Sequence, residues 1–231
     1  MARRPYRRAQ GPLGMLRLSF GEPLRRVLAI GCHADDIEIG AGGTLLTLTR
    51  SIPDLHVDWV VLAAAGDREQ EAIASAAAFL AHAAGAHVEV HEFRDGYLPY
   101  VGGEVKDLFE DLKRRVDPQV VFTHRRFDLH QDHRLACELT WNTFRNHVIL
   151  EYEIPKVDGD LGSPNVFMPL ESSVVEEKIA LLVEHFPSQA GKHWFDGETF
   201  RGLMRLRGLE ASSASGYAEA FDGRKLNLGS A

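Results

Sequence analysis

Cysteine is nearly absent: the 231 residues hold two, Cys32 and Cys137. Two thiols cannot make a disulfide framework, and a chain of this length buries enough apolar surface to fold without one, so the expected setting is a reducing cytoplasm. Long apolar runs are missing too. Nothing approaches the roughly 20 residues that span a bilayer, which argues against an integral membrane segment. Basic charge is in deficit, with 26 Lys and Arg against 33 Asp and Glu and a formal net charge of −7. Such a body carries no sign of nucleic-acid binding. Acids are missing from the first twenty residues, which carry Arg3, Arg4, Arg7, Arg8 and Arg17. A signal peptide starting this way would continue into an unbroken apolar stretch, and none follows. Residues 1–20 are expected as a basic arm and residues 21–231 as a single domain.

What is present is an alternation of short apolar runs and helical segments. Strands are expected at Val27–Gly31, His56–Ala63, Val88–Phe93 and Val120–Thr123. Between and after them, helices are expected at Leu45–Arg50, Arg68–Ala84, Val105–Val116 and Asp132–His147, with one more near Ser173–His185. This order predicts an α/β fold: a Rossmann-like, mostly parallel sheet with helices on both faces. After residue 150, turn residues make a long connection (Pro155, Asp158-Gly159-Asp160, Ser163-Pro164). Residues 151–231 are expected to elaborate the substrate pocket. The arm and this connection suit contacts between copies of the chain.

Ligands of such sheets gather at the carboxyl ends of the strands, where two clusters fall. The first is Cys32-His33-Ala34-Asp35-Asp36. An imidazole and a carboxylate three residues apart on a tight loop can converge on one metal ion, with Asp35 in the same cavity. Adjacent carboxylates at the mouth of an apolar strand are costly unless compensated, as a divalent cation would do. Helix capping accounts for the pair of aspartates equally well. The second cluster, His130-Gln131-Asp132-His133, opens a helix after the fourth strand, and Asp132 is placed to orient a neighbouring imidazole. The HxxH spacing alone is weak. Its weight comes from coinciding with the first cluster, since a catalytic zinc takes three such ligands and an open position for water.

The segment CHADDIEIGAGGTL resembles the H-(P/A)-D-D-x-x-x-G-x-G-G signature of the LmbE-like, or PIG-L, de-N-acetylase family, and HQDH resembles its second signature, H-x-D-H. The family includes deacetylases of N-acetylglucosaminyl-phosphatidylinositol and of mycothiol and bacillithiol synthesis. The resemblance covers residues 26–150 and, less closely, the segment SGYAEAF; Ala34 stands where proline is frequent. It implies removal of an N-acetyl group from an N-acetylglucosamine-type sugar, the partner being a small amino-sugar glycoside. By position, it implies that His33, Asp36 and His133 ligate zinc and that Asp35 is the general base. His130, protonated, would face the substrate carbonyl, with Asp132 as its hydrogen-bonding partner. Two histidines and an aspartate accept iron(II) as well as zinc.

Further residues carry weaker expectations. Arg68, after the second strand, suits substrate hydroxyls or a phosphate, or equally a helix-start salt bridge. Tyr152, Glu153, Trp194 and Phe195 suit a sugar-binding rim. Gly40-Ala41-Gly42-Gly43 lacks dinucleotide spacing and is expected to serve close packing. Cys137, four residues after His133, can share its helix face, but a buried apolar thiol is the commoner outcome, as for Cys32. His124, His185 and His193 have no partner pattern and are expected to be structural, and Glu219 is expected near the site. Rival readings are an amidase of a larger N-acyl or thiol-sugar conjugate, a non-catalytic metal- or sugar-binding protein, and a nucleotide-binding oxidoreductase.

Overall fold

A computed structural model describes residues 23–227; the basic arm lies outside the described residues. Along the first strand, β1 (Arg26–Gly31), successive side chains enter two separate cores. Val27 and Ala29 join one cluster, Leu28 and Ile30 the other. The same split recurs in β2 (His56–Val61), β4 (Val120–His124) and β5 (Val148–Tyr152), where Trp59, Phe122 and Tyr152 face one side and Val60, Val121 and Ile149 the other. A strand apolar on both faces needs a layer of helices on each. One layer is α1 (Asp36–Ser51), α2 (Asp67–Phe79), α5 (Ser172–His185) and α6 (Gly197–Glu210); the other is α3 (Gly102–Arg115) and α4 (Gln131–Thr143).

The sheet has seven strands in the order β3-β2-β1-β4-β5-β7-β6, where β3 is Gly85–Val90, β6 Val166–Leu170 and β7 Tyr217–Asp222. The first five are parallel; β7 runs antiparallel to β5, and β6 antiparallel to β7. The expected α/β architecture is therefore present, and the C-terminal elaboration extends the sheet as an antiparallel edge. Pro169 is tolerated in β6 because that strand lies at the edge. Strand order reverses between β1 and β4, so their carboxyl ends open the crevice in which such sheets bind ligands. Among the described residues no helix is long and apolar enough to cross a membrane.

Several boundaries depart from expectation. Helix α1 starts at Asp36, well before Leu45, and holds Gly40, Gly42 and Gly43 in its interior. Helix propensity disfavours glycine there, but packing demands it. A Cβ on Gly42 would stand 2.6 Å from the Phe79 ring, one on Gly43 2.7 Å from Leu170, and one on Gly40 would enter the Tyr152 ring. The expected close-packing role of this segment is what the geometry shows. Helix α4 stops at Thr143, so that His147 leads into β5.

Candidate metal centre and active site

Gly31 ends β1, and the next residues cross the open end of the sheet. The Asp36 carboxylate folds back to accept the His33 backbone N–H at 2.6 Å, closing a tight loop that holds both side chains toward the crevice. Asp35 occupies the N-cap position of α1 but makes no capping hydrogen bond. Asp35 is 4 % exposed, and its carboxylate pairs instead with Arg68, Oδ2 to Nη2 3.2 Å. Capping therefore does not account for these aspartates. Arg68 is delivered from β2 by Gly66, whose φ of +60° turns the chain into α2.

From the other side of the crevice, α4 begins with His130 as its N-cap and brings His133 one turn later. His133 Nε2 stands 3.2 Å from His33 Nδ1 and 3.5 Å from Asp36 Oδ2; His33 Nδ1 and Asp36 Oδ2 are themselves 3.2 Å apart. Three donors each about 2.0–2.2 Å from one tetrahedral zinc lie about 3.3–3.6 Å from one another, so the three residues fit a single ion. The outward nitrogens fit as well. His133 Nδ1 meets Asp128 Oδ2 at 3.0 Å, and His33 Nε2 lies 3.0 Å from Asp95 and 3.4 Å from Asp132. Imidazoles backed by carboxylates on the far nitrogen are the usual orientation of metal-binding histidines.

The electrostatics also favour a cation. Burial, with His124 alongside, pushes His133 down to about 4, leaving a neutral imidazole with its Nε2 lone pair available. Burial opposes charge on His33, but Asp36 and then Asp132 and Asp95 outweigh it and raise its pKa well above the ordinary value, so this position attracts positive charge. Asp36 and Asp128 are held well below the carboxylate range by surrounding imidazoles despite their burial.

His130 faces the same cavity, its ring centroid 4.9 Å from that of His33 and 4.6 Å from that of His133. Burial and His33 lower its pKa, which opposes the protonated form that the family resemblance implies. Its Nδ1 accepts the Asp132 backbone N–H, which leaves the ring proton on Nε2. The Asp132 carboxylate is not its partner: it accepts from the N–H groups of Gly96 and Leu98 at 2.7 and 3.1 Å and faces His33.

The cavity over these groups has a volume of about 620 Å³, and Arg68, Lys192 and Trp194 are among its wall residues. Tyr152 and Glu153 do not reach it. Tyr152 is fully buried, and its hydroxyl donates to Ile30 O at 2.6 Å. Glu153 is buried in an ion pair with Arg207 at 2.9 Å. Tyr152 is the last residue of β5 and turns its ring into the core, while Glu153 follows the strand and turns to Arg207 on α6. Phe195 is buried in the core, and Glu219 bonds to α1 rather than to the cleft. Cys32 and Cys137 are buried thiols whose pKa burial raises.

His124, expected to be structural, lies in the cluster. It is fully buried, stacks on His133 at 3.8 Å, and its Nε2 stands 3.2 Å from Asp36 Oδ2 while accepting the Cys32 N–H. Asp128, Asp95 and Lys156 (3.0 Å from Asp128) were not singled out. The run Asp128-x-His130-x-Asp132-His133 carried the signal for Asp128; Asp95 comes from a separate strand end and had none.

The sequence pattern of the PIG-L family, described as GlcNAc-PI de-N-acetylase, matches residues 28–144, half of the chain, with His33, Asp35, Asp36, His130 and His133 inside it. The chain belongs to the PIG-L family. It is 28 % identical over 182 residues to YaiS of Escherichia coli K12, described as an uncharacterized deacetylase, covering 73 % of this chain and 94 % of YaiS. Solved structures share its fold, two of them as follows. The N,N'-diacetylchitobiose deacetylase of Pyrococcus horikoshii aligns with a TM-score of 0.67 at 22 % identity, covering 86 % of this chain and 83 % of its own. The 4-carboxy-2-hydroxymuconate hydratase GalB of Pseudomonas putida KT2440 aligns at 0.73 with 20 % identity, covering 90 % and 99 %.

Proposed function

We propose that this PIG-L family member is a zinc-dependent N-deacetylase acting on an N-acetylglucosamine-type sugar or glycoconjugate. The observation that carries this reading is the convergence of His33, Asp36 and His133 within 3.5 Å of one another, each imidazole backed by a carboxylate, under a cavity that Asp35 and His130 also line. The GalB alignment shows that one fold serves different reactions, so the reading rests on these side chains and not on the fold.

His33 Nδ1, Asp36 Oδ2 and His133 Nε2 would hold the ion. When bound, zinc supplies Lewis-acid polarisation of the amide carbonyl and a water acidified toward a pKa of about 7. Asp35 is the base that takes the proton of the attacking water: burial raises the pKa of its carboxyl, and Arg68 beside it opposes that rise. The same carboxyl then protonates the departing amine. His130 donates its Nε2–H to the carbonyl oxygen as negative charge gathers there. Arg68, with its fork shared between Asp35 and Glu71, also presents its edge to substrate hydroxyls.

The test is acetate release from a panel of N-acetylglucosaminides by zinc-loaded wild type beside Asp35→Ala. Turnover by wild type, with Asp35→Ala retaining zinc but not activity, supports the mechanism. Release of longer acyl groups but not acetate moves the reading to an amidase of larger N-acyl substrates. Zinc binding with no release from any amide favours a binding protein.

A further inference from the structure

Lys178 on α5 and Glu219 on β7 form a buried ion pair, Nζ to Oε1 2.6 Å, that the proposed chemistry leaves unused. Its further contacts are all to the backbone of α1. Lys178 Nζ donates to Ile39 O at 2.6 Å, while the two Glu219 oxygens accept from Gly43 N and Thr44 N, each at 2.7 Å. In a regular helix the Gly43 N–H serves the Ile39 carbonyl. Here the donor and the acceptor of that same pair are each engaged by a charged side chain, so the ion pair grips the helix backbone one turn beyond Asp36. The missing side chain of Gly43 admits it, because a Cβ there would stand 3.0 Å from Glu219 Oε1.

A helix satisfies its own backbone, and withdrawing two charges from water costs more than a single pair readily returns. The arrangement is therefore poorly explained as a source of stability. Geometry explains it better. Two routes lead from the pair to Asp36. One is the first turn of α1 itself. The other runs through packing, from Gly40 against the Tyr152 ring to the His124 ring, whose centroid is 4.8 Å from that of Tyr152 and whose Nε2 stands 3.2 Å from Asp36 Oδ2.

We propose that Lys178 and Glu219 are positioning residues that clamp α1 to the C-terminal elaboration and so set Asp36 at ligand distance from His33 and His133. This rests on Asp36 being a zinc ligand, as proposed above.

The test measures zinc affinity by competition with a chromophoric chelator, and melting of the metal-free chain, for wild type, Lys178→Met/Glu219→Leu and Glu219→Asp. The double variant replaces the pair with apolar side chains, a change that is often neutral or stabilising. It is expected to melt near wild type yet bind zinc about 10-fold or more weaker, in the range seen when supports of metal ligands are lost. Glu219→Asp keeps the charge but shortens its reach, and is expected to weaken zinc binding about 3-fold or more. A merely structural pair would lower melting and leave the affinity of the folded chain unchanged. If Glu219→Asp, and the double variant where it folds, bind zinc within about twofold of wild type, the proposal is overturned. Should wild type bind no zinc, the metal-site reading fails first and this inference falls with it.

Discussion

Replacing Asp128 with Asn perturbs the centre without replacing a proposed ligand. The carboxylate serves two buried donors at once: Oδ1 accepts the His130 N–H at 2.8 Å, and Oδ2 meets His133 Nδ1 at 3.0 Å. It also pairs with Lys156 at 3.0 Å. Asn offers one acceptor oxygen where two are used, so either the N-cap of α4 or the His133 ring loses its partner. An unsatisfied buried donor costs about 1–3 kcal/mol. For a chain of this size, that predicts a drop in melting temperature of about 2–12 °C for the metal-free protein. Zinc affinity should fall further, by about 10–100-fold, because the ring orientation and basicity of His133 are set by this contact. Competition titration against a chelating dye reads the affinity, and calorimetry reads the melting. Affinity within about twofold of wild type would refute the claim that Asp128 holds His133 for a metal.

Asp35→Asn should keep one zinc per chain while kcat falls about 10²–10⁴-fold, the usual worth of a general base; loss of the metal would instead make Asp35 a ligand. Tyr152→Phe should lose about 1 kcal/mol of stability with its bond to Ile30 O and leave KM for sugars unchanged; a large rise in KM would return Tyr152 to the substrate rim. In the metal-free protein, His133 titrates near pH 4 when folded and at about 6.5 when unfolded. The unfolded chain thus binds more protons between these values, so this group's contribution is present above about pH 6.5 and lost as pH falls toward 4. Melting curves from pH 7 to 4.5 should show that decline, and His133→Asn should flatten it; an unchanged slope would contradict the assignment.

Strands β1, β2 and β4 were legible because both of their faces are apolar, and the two metal-site motifs because each is local in sequence. The start of α1 was not. Its glycines obey contacts with Tyr152, Phe79 and Leu170 that arrive from distant elements, and propensity argued the other way. Strand β5 was hidden by Glu151, a buried carboxylate matched by Trp141 and Arg224. Strands β6 and β7 form an antiparallel edge outside the alternating strand–helix pattern, and β6 carries a proline. Tyr152 and Glu153 were misread for the same reason: without β5, nothing showed that one enters the core and the other meets Arg207 on an unassigned helix. His124 looked isolated because its partners, Asp36 and His133, come from either side of the crevice.

The most direct test of metal-dependent deacetylation is a zinc titration of the stripped chain, following acetate release from an N-acetylglucosaminide. The account predicts no release before zinc and a linear rise that breaks at one equivalent per chain. Release that is indifferent to zinc, or no release at any occupancy, would contradict it.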